Sequence, residues 1–149
     1  MIQTDLTPGI LVCRHPATSK KQLLESLCSR LARHASLCER TVLDAVLERE
    51  KLGSTAIGDG IALPHATIAG ASATSSLLAT LDQPVDFDSP DGRHVDIVML
   101  ILGCGQHGTE HLSSLSVAAR QIRYASDLLR HASDESELRV AVACLVAAA

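Results

Sequence analysis

The sequence predicts a single α/β domain in which a mixed central β-sheet of about five strands is flanked by helices on both faces. The order of the elements carries most of this prediction, because two amphipathic helices precede several short strands and further helices follow them. Residues 95–102 form an almost unbroken aliphatic run, which is typical of a central strand buried on both faces. A chain of 149 residues suits one core, so residues 1–149 are assigned to one domain.

Two helices are predicted before the first glycine-rich stretch. Residues 19–33 open with Ser19 and Gln22 at the spacing of a capping box and place apolar residues along one face. Ser36 and Glu39 repeat this spacing and predict the start of a second helix, which Gly53 ends.

The middle of the chain predicts strands joined by tight turns, and its last third predicts helices. Glycine and proline break residues 54–81 into short pieces, and residues 84–87 suggest a short edge strand. Apolar residues at helical spacing from Leu112 to Ile122 predict a helix with His111 in its first turn, and a last helix begins around Ser133.

Composition excludes several classes of function. A formal net charge of −4 argues against nucleic-acid binding, which depends on clustered Lys and Arg. No apolar run reaches the roughly 18–20 residues that cross a bilayer, and the first residues do not resemble a signal peptide, so we expect a cytoplasmic protein without membrane insertion. The odd number of cysteines, five, indicates reduced thiols.

Of the seven histidines, His65 is the strongest candidate for chemistry. We expect His15, His34, His94 and His131 on the solvated surface, because they lie in turn-like contexts or beside Arg at helix ends.

His65 follows a segment, residues 58–64, in which two glycines permit a tight turn, apolar residues form a strand and Pro64 stiffens the exit. A histidine held in this way can attack phosphorus when one ring nitrogen is neutral and the other is fixed by a hydrogen bond. On these residues alone, a histidine that merely caps a strand end remains the alternative.

Residues 49–65 resemble the active-site signature of the enzyme IIA proteins of the bacterial phosphotransferase system, in the fructose/mannitol and nitrogen-regulatory branch. The resemblance continues in order through residues 84–87, 95–98 and 110–115. It implies a phosphotransferase-type carrier with a phosphohistidine intermediate, in which His65 accepts a phosphoryl group from a histidine-phosphocarrier protein. Such a transfer between histidines depends on positioning and charge and requires no metal or cofactor.

The resemblance also implies roles for other residues. His111, at its helix start, would donate a hydrogen bond to the phosphoryl group, and Arg49 would supply the balancing positive charge. Ser54, Thr55 and Asp59 would support the phosphoryl site.

Two partner classes remain open. The match is nearest to the nitrogen-regulatory subgroup, which favours a regulator whose phosphorylation state is read by kinases or transporters. The alternative is a transport relay of fructose/mannitol type that passes the phosphoryl group to a IIB component. A homodimer is compatible with either.

A metal site is a remote alternative. Cys104, His107 and His111 have spacings at which a thiolate and imidazoles can ligate zinc, but no second Cys/His pair is present to close a structural site. We therefore expect no bound metal.

Overall fold

The computed structural model describes residues 7–104 and 108–147, and for residues 108–114 and 146–147 it describes the helical backbone alone. The elements are β1 (Ile10–His15), α1 (Lys20–His34), α2 (Glu39–Lys51), β2 (Ala56–Gly58), β3 (Ile61–Ala62), β4 (His65–Ile68), β5 (Ser75–Val85), β6 (Val95–Cys104), α3 (Gly108–His131) and α4 (Glu135–Ala147).

One mixed sheet joins the six strands of the described chain in the order β1-β5-β6-β3-β2, and β4 also pairs with β6. Strand β6 is central, as its aliphatic run predicts, and it runs antiparallel to β5 and parallel to β3 and β4. The prediction of an edge strand over residues 84–87 is wrong. Val85 ends the long strand β5 and pairs with Val95 inside the sheet.

Helices cover both faces of the sheet, which confirms the predicted fold class. Alternate residues of β6 point in opposite directions: Val98, Leu100 and Leu102 pack with α1 and α2, and Ile97 and Met99 pack with α3 and α4. Because both faces are buried, β6 needs apolar residues at nearly every position.

Helix α1 begins as predicted, but the second capping box is wrong. The Ser19 hydroxyl accepts a hydrogen bond from the Gln22 amide at 3.1 Å. Ser36 instead terminates α1, because it adopts φ 57° and its amide bonds back to the Arg33 carbonyl. The Leu37 amide bonds to the Ala32 carbonyl, which completes a Schellman motif.

The N-terminal strand β1 lies beside β5 in parallel and was not predicted. Its pairing is interrupted between Val12 and His15, where Arg14 adopts φ 52°. The expectation that His15 lies on the surface is wrong: its side chain is buried, and its Nε2 has no hydrogen-bond partner within the described chain. Burial, and then the positive charge of Arg30, lower the pKa of His15.

No helix in the described ranges is long and apolar enough to cross a bilayer. The five cysteines are unpaired, as their number predicts. Burial raises the pKa of Cys28 to about 12, so this thiol stays protonated.

Candidate functional site

His65 is the first residue of β4, directly after Pro64, and not the last residue of the preceding strand. The backbone just before the histidine is fixed by two hydrogen bonds. The Leu63 amide donates to the Thr55 carbonyl at 3.0 Å, and the Ile101 amide donates to the Pro64 carbonyl at 3.0 Å. His65 itself pairs with Ile101 of β6, so the histidine is held between the central strand and the segment that precedes β2.

The imidazole of His65 has a defined tautomer. Its Nδ1 lies 2.8 Å from the Leu63 carbonyl oxygen. Because a carbonyl oxygen only accepts hydrogen bonds, Nδ1 carries the proton, and in the neutral ring the lone pair is on Nε2. Burial lowers the pKa of His65 most, the Leu63 carbonyl opposes this, Arg49 lowers it further and Glu50 raises it. The net direction is downward, so the ring is neutral near pH 7.

The His65 side chain lines a cleft of about 280 Å³ between the strands β2 and β4 and helix α3. The cleft is lined by Arg49, Ser54, Thr55, Ala56, Ile57, Leu63, His65, Leu115, Ser116 and Ala119. The volume is sufficient for a phosphoryl group and the tip of a donor side chain, and too small for a folded partner.

Arg49 brings a positive charge to the same cleft, as the sequence predicts. Its Nη1 donates to the Gly53 carbonyl at 2.9 Å, which holds the side chain against the segment that follows α2. The guanidinium has further N–H groups with which it can bind phosphoryl oxygens. Arg49 and His65 line the same cleft, so the guanidinium can act on a charge at the imidazole.

Glu50 is a buried carboxylate beside the site that sequence reasoning missed. Its side chain is only 6% exposed and pairs with Lys20 Nζ at 2.9 Å. The Thr55 hydroxyl and amide both donate to it. Lys20 also lies over the Phe87 ring, 4.5 Å from its centroid. The network ties the ends of α1 and α2 to the segment that precedes β2.

Ser54 and Thr55 line the cleft, but their hydroxyl protons are already committed. Ser54 Oγ donates to the Phe87 carbonyl at 2.6 Å and accepts from the Ala56 amide at 3.1 Å. Thr55 Oγ1 donates to Glu50. We therefore interpret both residues as holding the cleft wall, in place of the predicted donation to a phosphoryl group.

Asp59 is not brought into the cleft. It occupies the turn between β2 and β3 with φ 57°, where the predicted tight turn is confirmed. Its carboxylate pairs with Arg123 Nε at 3.3 Å, its amide donates to Asp91 Oδ2 at 2.9 Å, and its carbonyl accepts from Arg130 at 2.5 Å. These contacts fix the turn. Asp59 does not line the cleft, so its position does not favour the predicted role at the phosphoryl site.

Helix α3 begins at Gly108, so His111 lies in its first turn, as predicted. The His111 side chain and the whole of His107 fall outside the described residues, so the zinc hypothesis with Cys104 lies mostly outside them as well. Among the described residues, no three His, Cys, Asp or Glu side chains are grouped to hold a metal ion.

The chemistry available in the cleft is that of a neutral, oriented imidazole next to a guanidinium. A nucleophilic Nε2 and a nearby fixed cation suit the acceptance of an anionic, electrophilic group such as phosphoryl.

Comparison with known families agrees with this chemistry. Residues 6–142 match the family model described as phosphoenolpyruvate-dependent sugar phosphotransferase system, EIIA 2. The chain belongs to this family. The resemblance drawn from residues 49–65 is thereby confirmed.

Relatives within the EIIA 2 family include nitrogen regulators. The chain is 40% identical over 121 residues to the nitrogen regulatory protein of Bradyrhizobium diazoefficiens, which covers 80% of this chain and 79% of that one. The crystal structure of nitrogen regulatory protein IIA-Ntr from Neisseria meningitidis superposes with a TM-score of 0.81 at 32% identity, over 89% of this chain and 92% of that one.

The same fold occurs in a protein that has been solved together with a phosphorylated partner enzyme. In the complex of enzyme IIAMtl with phosphorylated enzyme IIBMtl from Escherichia coli, the matching chain has a TM-score of 0.75 at 20% identity, over 93% of this chain and 94% of that one. At this identity the likeness establishes the fold alone.

Proposed function

We propose that this chain is a phosphoryl-carrier regulatory protein that accepts a phosphoryl group on Nε2 of His65 from a histidine-phosphocarrier protein. The observation that carries the proposal is the hydrogen bond between His65 Nδ1 and the Leu63 carbonyl at 2.8 Å, because it directs the lone pair of a neutral ring to Nε2. Membership of the EIIA 2 family supports the class of reaction.

In the transfer, Nε2 attacks phosphorus in line, the new N–P bond forms, and the P–N bond to the donor histidine breaks. The proton stays bonded to Nδ1, which donates it to the Leu63 carbonyl oxygen, so His65 does not have to release a proton. The positive charge of Arg49 offsets the charge of the phosphoryl oxygens, and catalysis consists mainly of positioning and electrostatic stabilisation. A hydrogen bond from His111 would add to this, from the first turn of α3.

Regulation is favoured over sugar transport because the Bradyrhizobium protein, at 40% identity, and the Neisseria protein, at 32% identity, are nitrogen regulatory proteins. Phosphorylation adds up to two negative charges to a cleft that holds Arg49, which changes the potential presented to a target protein. Kinases and transporters are the proposed targets, in the cytoplasm, and a homodimer is compatible with the proposal.

Proteins of this family pair with phosphocarrier donors and with IIB components. Transfer to a IIB component, as in a fructose/mannitol relay, is therefore the second candidate. It is distinguished by incubating the phosphorylated chain with IIB proteins, since only a relay component loses its phosphoryl group to them.

The test uses phosphoenolpyruvate, enzyme I and a phosphocarrier protein, followed by intact-mass measurement. The wild type should gain one acid-labile phosphoryl group, and His65→Ala should gain none. His94→Ala is a matched control, because His94 is an exposed histidine outside the cleft and its variant should label as the wild type does. Equal labelling of His65→Ala would exclude His65 as the acceptor.

A further inference from the structure

Leu52 is a large apolar side chain that the fold leaves almost completely in water, with 85% of its surface exposed. It caps the C-terminus of α2 in a helical conformation, with φ −73° and ψ −19°. Its place in the chain is between Arg49 and Ser54, both of which line the His65 cleft. Residues three apart in a helical conformation lie side by side, so Leu52 is a neighbour of Arg49 at the edge of the cleft lining, which we call the rim.

The geometry of transfer determines what must cover this rim. The donor's phosphorus has to approach Nε2 to roughly 3–3.5 Å before the new bond forms. His65 is half-buried at the side of a cleft of about 280 Å³, which cannot admit a protein domain. The donor must therefore lie across the mouth, where its surface contacts residues at the rim.

The chemistry of the rim suits a donor that combines apolar surface with negative charge. Lys51 is exposed next to Leu52, and Arg49 lies half-buried inside the mouth. The two cations favour the approach of a phosphoryl dianion. Burial of the Leu52 side chain stabilises a complex only if an apolar surface of the partner covers it.

Resting on the proposed function, we propose that Leu52 is the apolar anchor with which this chain binds its phosphocarrier donor. The anchor acts on formation of the complex and not on the chemistry of His65, so its loss should raise the concentration of donor needed for transfer without changing the reactivity of the imidazole.

The experiment compares two phosphoryl donors on Leu52→Ser. With the phosphorylated carrier protein, the apparent KM should rise by about tenfold, as expected for loss of a buried leucine contact. With phosphoramidate, a small donor that loses ammonia as its P–N bond breaks, the rate of His65 labelling should match the wild type. Leu52→Met, which keeps an apolar side chain, should restore most of the binding to the carrier protein.

Val140→Ser is the matched control. Val140 is 65% exposed on α4, which packs on the opposite face of the sheet from α2 and against the edge strand β1. Exposed substitutions of this kind change stability by only about 0.5 kcal/mol or less. The control should leave both donor reactions unchanged.

Three results would overturn the inference. An unchanged KM for the carrier protein in Leu52→Ser shows that Leu52 is not the anchor, and an equal rise in Val140→Ser shows a nonspecific effect. A loss of phosphoramidate labelling in Leu52→Ser shows damage to the site in place of a docking role. Failure of both donors to label wild-type His65 is a different result, because it refutes the proposed function itself.

Discussion

Replacing Glu50 with Gln tests whether the buried network beside the cleft sets both the stability and the electrostatics of the site. Glutamine keeps the shape of the side chain but removes the charge that pairs with Lys20 at 2.9 Å and turns one acceptor oxygen into a donor amide. Lys20 and the Thr55 amide both contact Oε2, so the new amide fits best at Oε1, where it faces the Thr55 hydroxyl, which can accept as well as donate. A hydrogen bond to a charged group contributes about 1.5–3 kcal/mol.

We expect the free energy of unfolding to fall by about 2 kcal/mol, which is below the roughly 3–5 kcal/mol lost when a fully buried pair is broken. The loss is limited because Lys20 is 21% exposed and keeps Asp88 at 3.4 Å as a second partner. Urea denaturation with an unchanged m-value measures the loss, which corresponds to a fall in Tm of roughly 4–8 °C for a chain of this size.

The same substitution should lower the pKa of His65, because Glu50 is one of the two groups that raise it. A titration followed by NMR of the His65 ring checks this. Glu48→Gln is the matched control, since Glu48 is an exposed glutamate on the same helix and its loss should change neither quantity. If the Glu50 and Glu48 variants behave alike in both assays, the network has no role in the site.

Three further predictions follow from particular residues. Gly60→Ala should destabilise the protein by about 1–3 kcal/mol in urea unfolding, because φ is 76° and the new Cβ would lie 2.7 Å from the Arg130 side chain. Gly70→Ala is the control: φ is 84° but the space around it is open, so it should lose only about 1 kcal/mol through backbone strain. The pKa of His15 in the folded protein is below its ordinary 6.5. The stability that comes from burying the neutral ring is therefore fully present above pH 6.5 and is lost as the pH falls through the folded pKa. His15→Leu should weaken this dependence of the free energy of unfolding on pH, and an unchanged slope would contradict the burial argument. His111→Ala should still accept phosphate on His65 but pass it on more slowly in rapid-quench assays, and equal transfer rates would count against its role.

A strand could be predicted where its pattern of apolar residues is regular, and not where an irregular backbone interrupts that pattern. Strand β6 is recognisable because both of its faces are buried and nearly every position is apolar, with Asp96 as the charged exception. Strand β1 is not, since the irregularity at Arg14 breaks the alternation. Cys13 and Arg14 both reach the Ala132 carbonyl, at 3.5 and 3.3 Å, so two consecutive side chains lie on one face.

The candidate histidine could be picked out from the sequence, whereas the buried network beside it could not. The glycine turn and Pro64 mark His65, whereas Glu48 and Glu50 read as a solvated charge run on a helix end. One signal was available: Glu50 follows Val42 and Val46 at intervals of four, and so continues the buried stripe of α2. A carboxylate on an apolar stripe requires a partner, and Lys20 is too distant in sequence for spacing to reveal it.

Lys20 also resolves an electrostatic conflict within the site. In the proposed transfer, the cleft holds His65 neutral beforehand and stabilises an anion on it afterwards. An isolated negative charge on Glu50 would oppose the second of these. Pairing with Lys20 at 2.9 Å offsets that charge locally, so Arg49 can act on the phosphoryl group with little opposition. Glu50 can then hold Thr55 and the wall of the cleft without cancelling the cation that the phosphoryl group needs.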